Sequence, residues 1–153
     1  MTTAGRVHEF TTRSGEDTIE VGRKLVKLLA PPQLLLLKGD LGTGKTTLVK
    51  GIAEALNAAE PDEVTSPTFT LLHEYEGERE GEPVHLYHLD VYRLEGERQL
   101  ETLGLDDLLT GDALVLVEWG EKFESLKKRA TGEIAIASTG GDGRRITVTL
   151  FKE

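Results

Sequence analysis

The 153-residue chain has no cysteine, one methionine, one tryptophan and five prolines. Without cysteine it can hold neither disulfides nor thiolate metal sites, it has no thiol nucleophile, and redox chemistry would need a cofactor. Its apolar runs fall far short of the roughly 18 residues that cross a bilayer. The opening MTTAGRVHEF also lacks the basic segment and apolar block of a secretory signal. These absences predict a cytoplasmic protein without membrane association. Positive charge is scarce as well: 18 Lys and Arg stand against 27 Asp and Glu, a net charge of -9. Nucleic-acid backbones are bound by clustered cations that displace counterions, so a large nucleic-acid footprint, DNA included, is disfavoured. The short basic runs at Lys127, Lys128 and Arg129, and at Arg144 and Arg145, read as solvated faces.

What remains has the balance of a folded chain, 38% hydrophobic and 29% charged, with no repeat and no linker between composition zones. A single domain spanning 1–153 is expected. Ser14 and Asp17 have capping-box spacing before helical apolar positions at Ile19, Leu25, Val26 and Leu29, which predicts a helix over 14–29, ended by Pro31 and Pro32. The unbroken run QLLLLK predicts a strand covered on both faces. KTTLVKGIAEALN predicts a second helix, with Leu48, Ile52 and Leu56 four apart. FTLLHEY and VHLYHLDVY predict a hairpin with the charged segment EGEREGEP as its exposed tip. ERQLETLGLDDLL and EKFESLKKRA predict helices, ALVLVE a buried strand ending in a carboxylate, and EIAIA with RRITVTL a last hairpin. The order implies an α/β fold: a P-loop NTPase-like three-layer arrangement with a mixed central sheet and ligands at the carboxyl ends of its parallel strands.

Between the QLLLLK strand and the second helix lies GDLGTGKT, in which Gly39, Gly44, Lys45 and Thr46 fill every fixed position of G-x-x-x-x-G-K-[ST]. Glycines allow backbone angles closed to other residues, so successive N–H groups can converge on phosphate oxygens at a helix N-terminus. Nucleotide contacts are therefore expected at Asp40, Leu41, Gly42, Thr43, Gly44, Lys45, Thr46 and Thr47. Lys45 would neutralise the β and γ phosphates, and the Thr46 hydroxyl would be a ligand to Mg²⁺. The motif names the ligand and not the task. Such a site needs an acidic residue for the metal and a group that positions the nucleophile. Asp90 and Glu118, each closing an apolar strand, are the candidates, with a solvated strand-end role as the alternative. Ser66 and Thr68, around Pro67, are either hydroxyls that reach the γ-phosphate as a switch segment or a plain turn. Trp119 either packs in the core or lies beside the nucleotide. Arg93 either stabilises transferred charge or pairs with an acid. His85 and His88 read as ordinary sheet-face histidines.

Four blocks in order, GDLGTGKTT at 39–47, VTSPTFTLLHEY at 64–75, YHLDVYRL at 87–94 and LVEWGE at 116–121, resemble the TsaE (YjeE) family of ATPases of bacterial tRNA threonylcarbamoyladenosine biosynthesis. The resemblance extends over nearly the whole chain. It implies an ATP- and Mg²⁺-binding protein of weak intrinsic hydrolysis, whose turnover resets a complex of TsaD and TsaB proteins, with tRNA contact indirect or local at most. It implies the metal at Thr46 and Glu118, a catalytic role for Asp90 beside Lys45 and Glu118, and a switch role for the block from Ser66 to Phe69. Thr43 and Gly120 depart from the alanine and proline frequent in the family. A base or ribose contact by Arg144 or Arg145 is left open. A small-molecule P-loop kinase is the alternative reading, although the chain lacks an arginine-rich lid. A GTP-operated module is disfavoured by the missing N-K-x-D run.

Overall fold

The QLLLLK run folds as the strand β2 (Gln33–Lys38), with all four leucines buried. Side chains alternate across a strand, so Leu35 and Leu37 enter one apolar cluster while Leu34 and Leu36 enter another on the opposite face. Burying each leucine contributes about 1.5–3 kcal/mol of transfer free energy, which is why an unbroken apolar run settles in the middle of a sheet. The computed structural model describes residues 3–152 except Leu41 and Phe69, with side chains from Gly5 to Phe151.

Parallel to β2 on its two sides run β5 (Ala113–Glu118) and β6 (Gly132–Gly140), and β4 (Glu82–Asp90) lies parallel beyond β5. The outer pairs are antiparallel: β3 (Leu72–Arg79) with β4, β7 (Gly143–Lys152) with β6, and β1 (Thr3–Thr12) with β7. The spatial order is β1-β7-β6-β2-β5-β4-β3. Helices α1 (Gly15–Leu25) and α2 (Lys45–Ala55) cover one face. The other receives Leu100, Leu105 and Leu126 from α3 (Glu97–Glu101), α4 (Leu105–Leu108) and α5 (Glu124–Arg129). This is the three-layer α/β architecture with a mixed central sheet. Because β2, β4 and β5 run the same way, the loop after β2 shares one sheet edge with Asp90 and Glu118, which are register partners. Ligand crevices of parallel sheets lie at that edge.

The helices α1 and α2 cross closely because each presents a glycine. A Cβ on Gly22 would lie 2.3 Å from the Leu48 carbonyl oxygen, and one on Gly51 would lie 2.0 Å from that of Ile19. Both obstacles are backbone, so the helices would have to part. Helix propensity favours alanine by about 1 kcal/mol. Overlap of this size outweighs it, and Gly51→Ala is expected to lose about 2–3 kcal/mol, measured as a lower urea midpoint.

Several local expectations are corrected. Ser14 Oγ accepts the Asp17 N–H at 3.1 Å as predicted, but the Asp17 carboxylate takes the N–H of Arg13 at 3.0 Å, one residue ahead of the capping-box position. The α1 helix stops at Leu25 and continues only as tighter i→i−3 turns through Leu29. β3 and β4 run through most of EGEREGEP and leave only a two-residue turn, Glu80 and Gly81, at φ 52° and 83°. Two successive left-handed residues match the twist of a hairpin. The predicted helix over 97–109 breaks at Gly104, φ 69°, into α3 and α4, and the one over 121–130 shortens to α5 after a 3₁₀ turn (Gly120–Lys122). The predicted strand from Phe69 begins instead at Leu72, and Phe69 itself lies outside the described residues. β1 went unpredicted because Val7 and Phe10, an odd number of residues apart, fall on opposite faces. Val7 is 56% exposed while Phe10 packs on the core, so no period-2 signal exists. Among the described residues no helix is long and apolar enough to cross a membrane.

Candidate functional site

The chain leaves β2 at Lys38 and enters α2 at Lys45, turning through Gly42 at φ 82° and Gly44 at φ 109°. A side chain at Gly44, the N-cap of α2, would be strained at that angle. Gly39 is fixed by space rather than angle: a Cβ there would meet Thr43 Oγ1 at 2.7 Å and the Ile136 carbonyl oxygen at 2.9 Å. Thr43 folds back on the loop, its N–H and hydroxyl both donating to the Asp40 carbonyl, at 3.1 and 2.7 Å.

Beside this loop lies a cavity of about 560 Å³. Gly42, Gly44 and the first three residues of α2, Lys45, Thr46 and Thr47, line one side of it. Ser66 and Thr68 line it from the segment before β3, Asp90 and Glu118 from the strand ends, and Tyr92 and Trp119 as aromatic wall. The predicted residues thus converge, with three exceptions. Asp40 and Thr43 are not among the lining residues and serve the shape of the loop, and Leu41 lies outside the described residues.

Glu118 is the electrostatic centre. Its carboxylate is 4% exposed, with Lys45 Nζ 3.3 Å from Oε1 and His88 Nε2 2.6 Å from Oε2. Burial pushes its pKa up, but the hydrogen bond and charge of His88, and then the ammonium of Lys45, outweigh burial and hold it below the ordinary carboxylate value. Against an ionised Glu118, His88 must donate its Nε2–H. His88 lies on a sheet face as expected, but it is fully buried and its bond to Glu118 makes it part of the site. The available signal was its spacing: His88 and Asp90 are two apart on β4, hence on one face, and that face adjoins Glu118.

Asp90, 4% exposed, is oriented on both oxygens. Oδ1 accepts the Tyr92 N–H at 2.9 Å, and Oδ2 accepts the Thr68 hydroxyl at 3.4 Å. Thr68 is itself 2.7 Å from Ser66 Oγ. The segment carrying both hydroxyls is anchored by Lys50, whose Nζ donates to the Pro61 and Val64 carbonyls at 2.7 and 2.9 Å. Trp119 adopts a left-handed backbone, φ 66°, a conformation that costs a bulky residue on the order of 1 kcal/mol and that concentrates at functional sites. Its ring lies 4.9 Å from that of Tyr92 and 5.2 Å from Lys45 Nζ. Sequence reasoning had not named Tyr92 for the site; it stands two residues beyond Asp90. The oxygen donors available, the Thr46 hydroxyl and two carboxylates, suit a hard cation such as Mg²⁺ better than a soft metal.

Residues 12–146 match the family model described as threonylcarbamoyl adenosine biosynthesis protein TsaE. The chain belongs to the TsaE family. It is 40% identical to the tRNA threonylcarbamoyladenosine biosynthesis protein TsaE of Bacillus subtilis, over 92% of this chain and 84% of that protein. To the protein of the same name from Streptomyces coelicolor it is 42% identical, over 88% and 90%. The crystal structure of Bacillus subtilis YdiB superposes with a TM-score of 0.69 at 32% identity, covering 99% of this chain and 88% of that one. Membership in TsaE places the chain in tRNA threonylcarbamoyladenosine biosynthesis.

Proposed function

We propose that this chain binds ATP with Mg²⁺, hydrolyses it weakly alone, and uses hydrolysis to reset a TsaD/TsaB complex during threonylcarbamoyladenosine (A37) modification of tRNA. The observation that carries the reading is the buried Lys45–Glu118–His88 network beside the Gly44 turn, in one cavity with Asp90. The loop amides and Lys45 bind the triphosphate, and Lys45 exchanges its Glu118 partner for phosphate oxygens. Thr46 and Glu118 hold Mg²⁺, which when bound neutralises charge developing on the phosphoryl oxygens. Asp90, fixed by Tyr92 and Thr68, accepts a hydrogen bond from the attacking water and orients it. Ser66 and Thr68 meet the γ-phosphate end of the nucleotide, and Trp119 packs beside it. Among the described residues lining the cavity none is an arginine, in contrast to the arginine-rich lids of small-molecule kinases.

Purified protein with Mg²⁺ and ATP is expected to turn over slowly, and faster once TsaD and TsaB are added. A rate indifferent to those partners, or transfer of label from ATP to a metabolite, overturns the proposal. Thr68→Val removes a donor to Asp90 and keeps the side-chain shape. It should lower turnover about tenfold, as the loss of one hydrogen bond to a charged group does. ATP affinity, read by Trp119 fluorescence, should fall as well, because the same hydroxyl meets the γ-phosphate end, whereas ADP affinity should stay nearly unchanged.

A further inference from the structure

Arg144, at the start of β7, contacts the backbone of the loop rather than projecting into solvent. Its Nε donates to the Thr43 carbonyl at 2.7 Å, and its Nη2 reaches that of Gly42 at 3.4 Å. Nη1 donates to the carbonyls of Gly141, in the turn between β6 and β7, and of Gly143, the first residue of β7, at 2.9 and 2.7 Å. One planar guanidinium thus ties together segments 101 residues apart. Lysine, a point donor on a flexible stem, cannot reproduce that fork.

The consequence follows from peptide geometry. A trans peptide is planar, with its C=O and N–H directed oppositely. Holding the Thr43 carbonyl towards Arg144 therefore turns the N–H of Gly44 the other way. Gly44 lines the cavity and, as a glycine at φ 109°, has no side chain with which to hold that orientation. The preceding peptide is held at both ends as well, the Gly42 carbonyl by Arg144 and the Thr43 N–H by the Asp40 carbonyl. Arg144 is not among the residues lining the cavity.

We propose that Arg144 is a positioning residue that braces the 39–46 loop from outside, presetting its amides for phosphate without touching the nucleotide. This rests on reading that loop as a phosphate cradle. An outside brace acts on the amides whatever phosphate they hold, so its removal should weaken ATP and ADP by the same factor and leave the preference for ATP over GTP unchanged.

The test compares wild type, Arg144→Lys and Arg144→Ala in the full chain by two readouts. The first is amide hydrogen exchange across 39–46 in the nucleotide-free protein, with β5 as internal reference. The brace predicts faster exchange in the loop alone, most in Arg144→Ala and less in Arg144→Lys. The second is calorimetric titration with Mg²⁺–ATP, Mg²⁺–ADP and Mg²⁺–GTP. Affinity for ATP and ADP should fall together, about tenfold in Arg144→Ala, the scale of losing a charge-assisted hydrogen bond. Unchanged loop exchange in both variants overturns the brace. A larger loss for ATP than ADP, or an altered ATP/GTP ratio, overturns it in favour of direct contact with the γ-phosphate or the base. If wild type binds no nucleotide while Arg144→Ala still loosens the loop, the phosphate-cradle reading fails and the brace stands.

Discussion

Lys45→Ala is expected to abolish detectable ATP turnover and to weaken ATP binding by about 30- to 4000-fold, the range for truncating one partner of a buried charge pair. Lys45 is 7% exposed, so water substitutes poorly for its ammonium, and it stands at the start of α2, directly after the Gly44 turn. The same substitution removes one of two partners of the Glu118 carboxylate. Stability and binding effects would therefore mix in the single variant. A double-mutant cycle with Glu118→Gln separates them. Stability lost in Lys45→Ala should be partly restored in the double variant, because the buried carboxylate charge that lost its lysine is then gone as well, whereas ATP binding should not return. A Lys45→Ala protein that binds ATP as wild type does would remove the triphosphate from this cavity.

Glu118→Gln has the second large expected effect. It keeps volume and one oxygen while removing the charge, and turnover should fall by about 100- to 10,000-fold with a higher Mg²⁺ requirement. Glu118→Ala should be worse folded, since it leaves Lys45 and His88 buried together without their carboxylate, at a cost of about 3–5 kcal/mol. The carboxylate also leaves a pH signature. Its folded pKa lies below its unfolded value, despite burial, because of His88 and Lys45. Its stabilisation is therefore complete above the unfolded carboxylate pKa and is lost as pH falls through the folded one. Urea midpoints of wild type should decline on that acid side more steeply than those of Glu118→Gln. Parallel acid limbs would mean that Glu118 is not held ionised by its neighbours.

The elements that position the site were the legible ones. QLLLLK and ALVLVE are buried on both faces, so their apolar runs are unbroken, and the loop between β2 and α2 carries fixed residue types at fixed spacing because backbone angle and space demand them. Lys45, Thr46, Asp90 and Glu118 were brought together by strand ends that parallel pairing aligns. What escaped the sequence depended on facing rather than type. His88 shares a face with Asp90 by spacing, but only the β4–β5 register sets that face beside Glu118. Arg144 lies 101 residues from the carbonyl it bonds, and no local pattern encodes that contact. β1 follows its partner strand rather than any alternation of its own. Gly104 broke a helix whose apolar periodicity runs straight through it, because periodicity records burial and not backbone angle.

A crystal structure with Mg²⁺ and a non-hydrolysable ATP analogue is the decisive measurement. The predicted result has the triphosphate wrapped by the 39–46 amides, Lys45 moved from Glu118 to phosphate oxygens, and the metal about 2.0–2.1 Å from Thr46 Oγ1, the usual Mg²⁺–oxygen distance, with the Glu118 carboxylate bound directly or through one water. A triphosphate seated elsewhere, or a metal whose coordination includes neither Thr46 nor Glu118 while Lys45 keeps its ion pair, would contradict it.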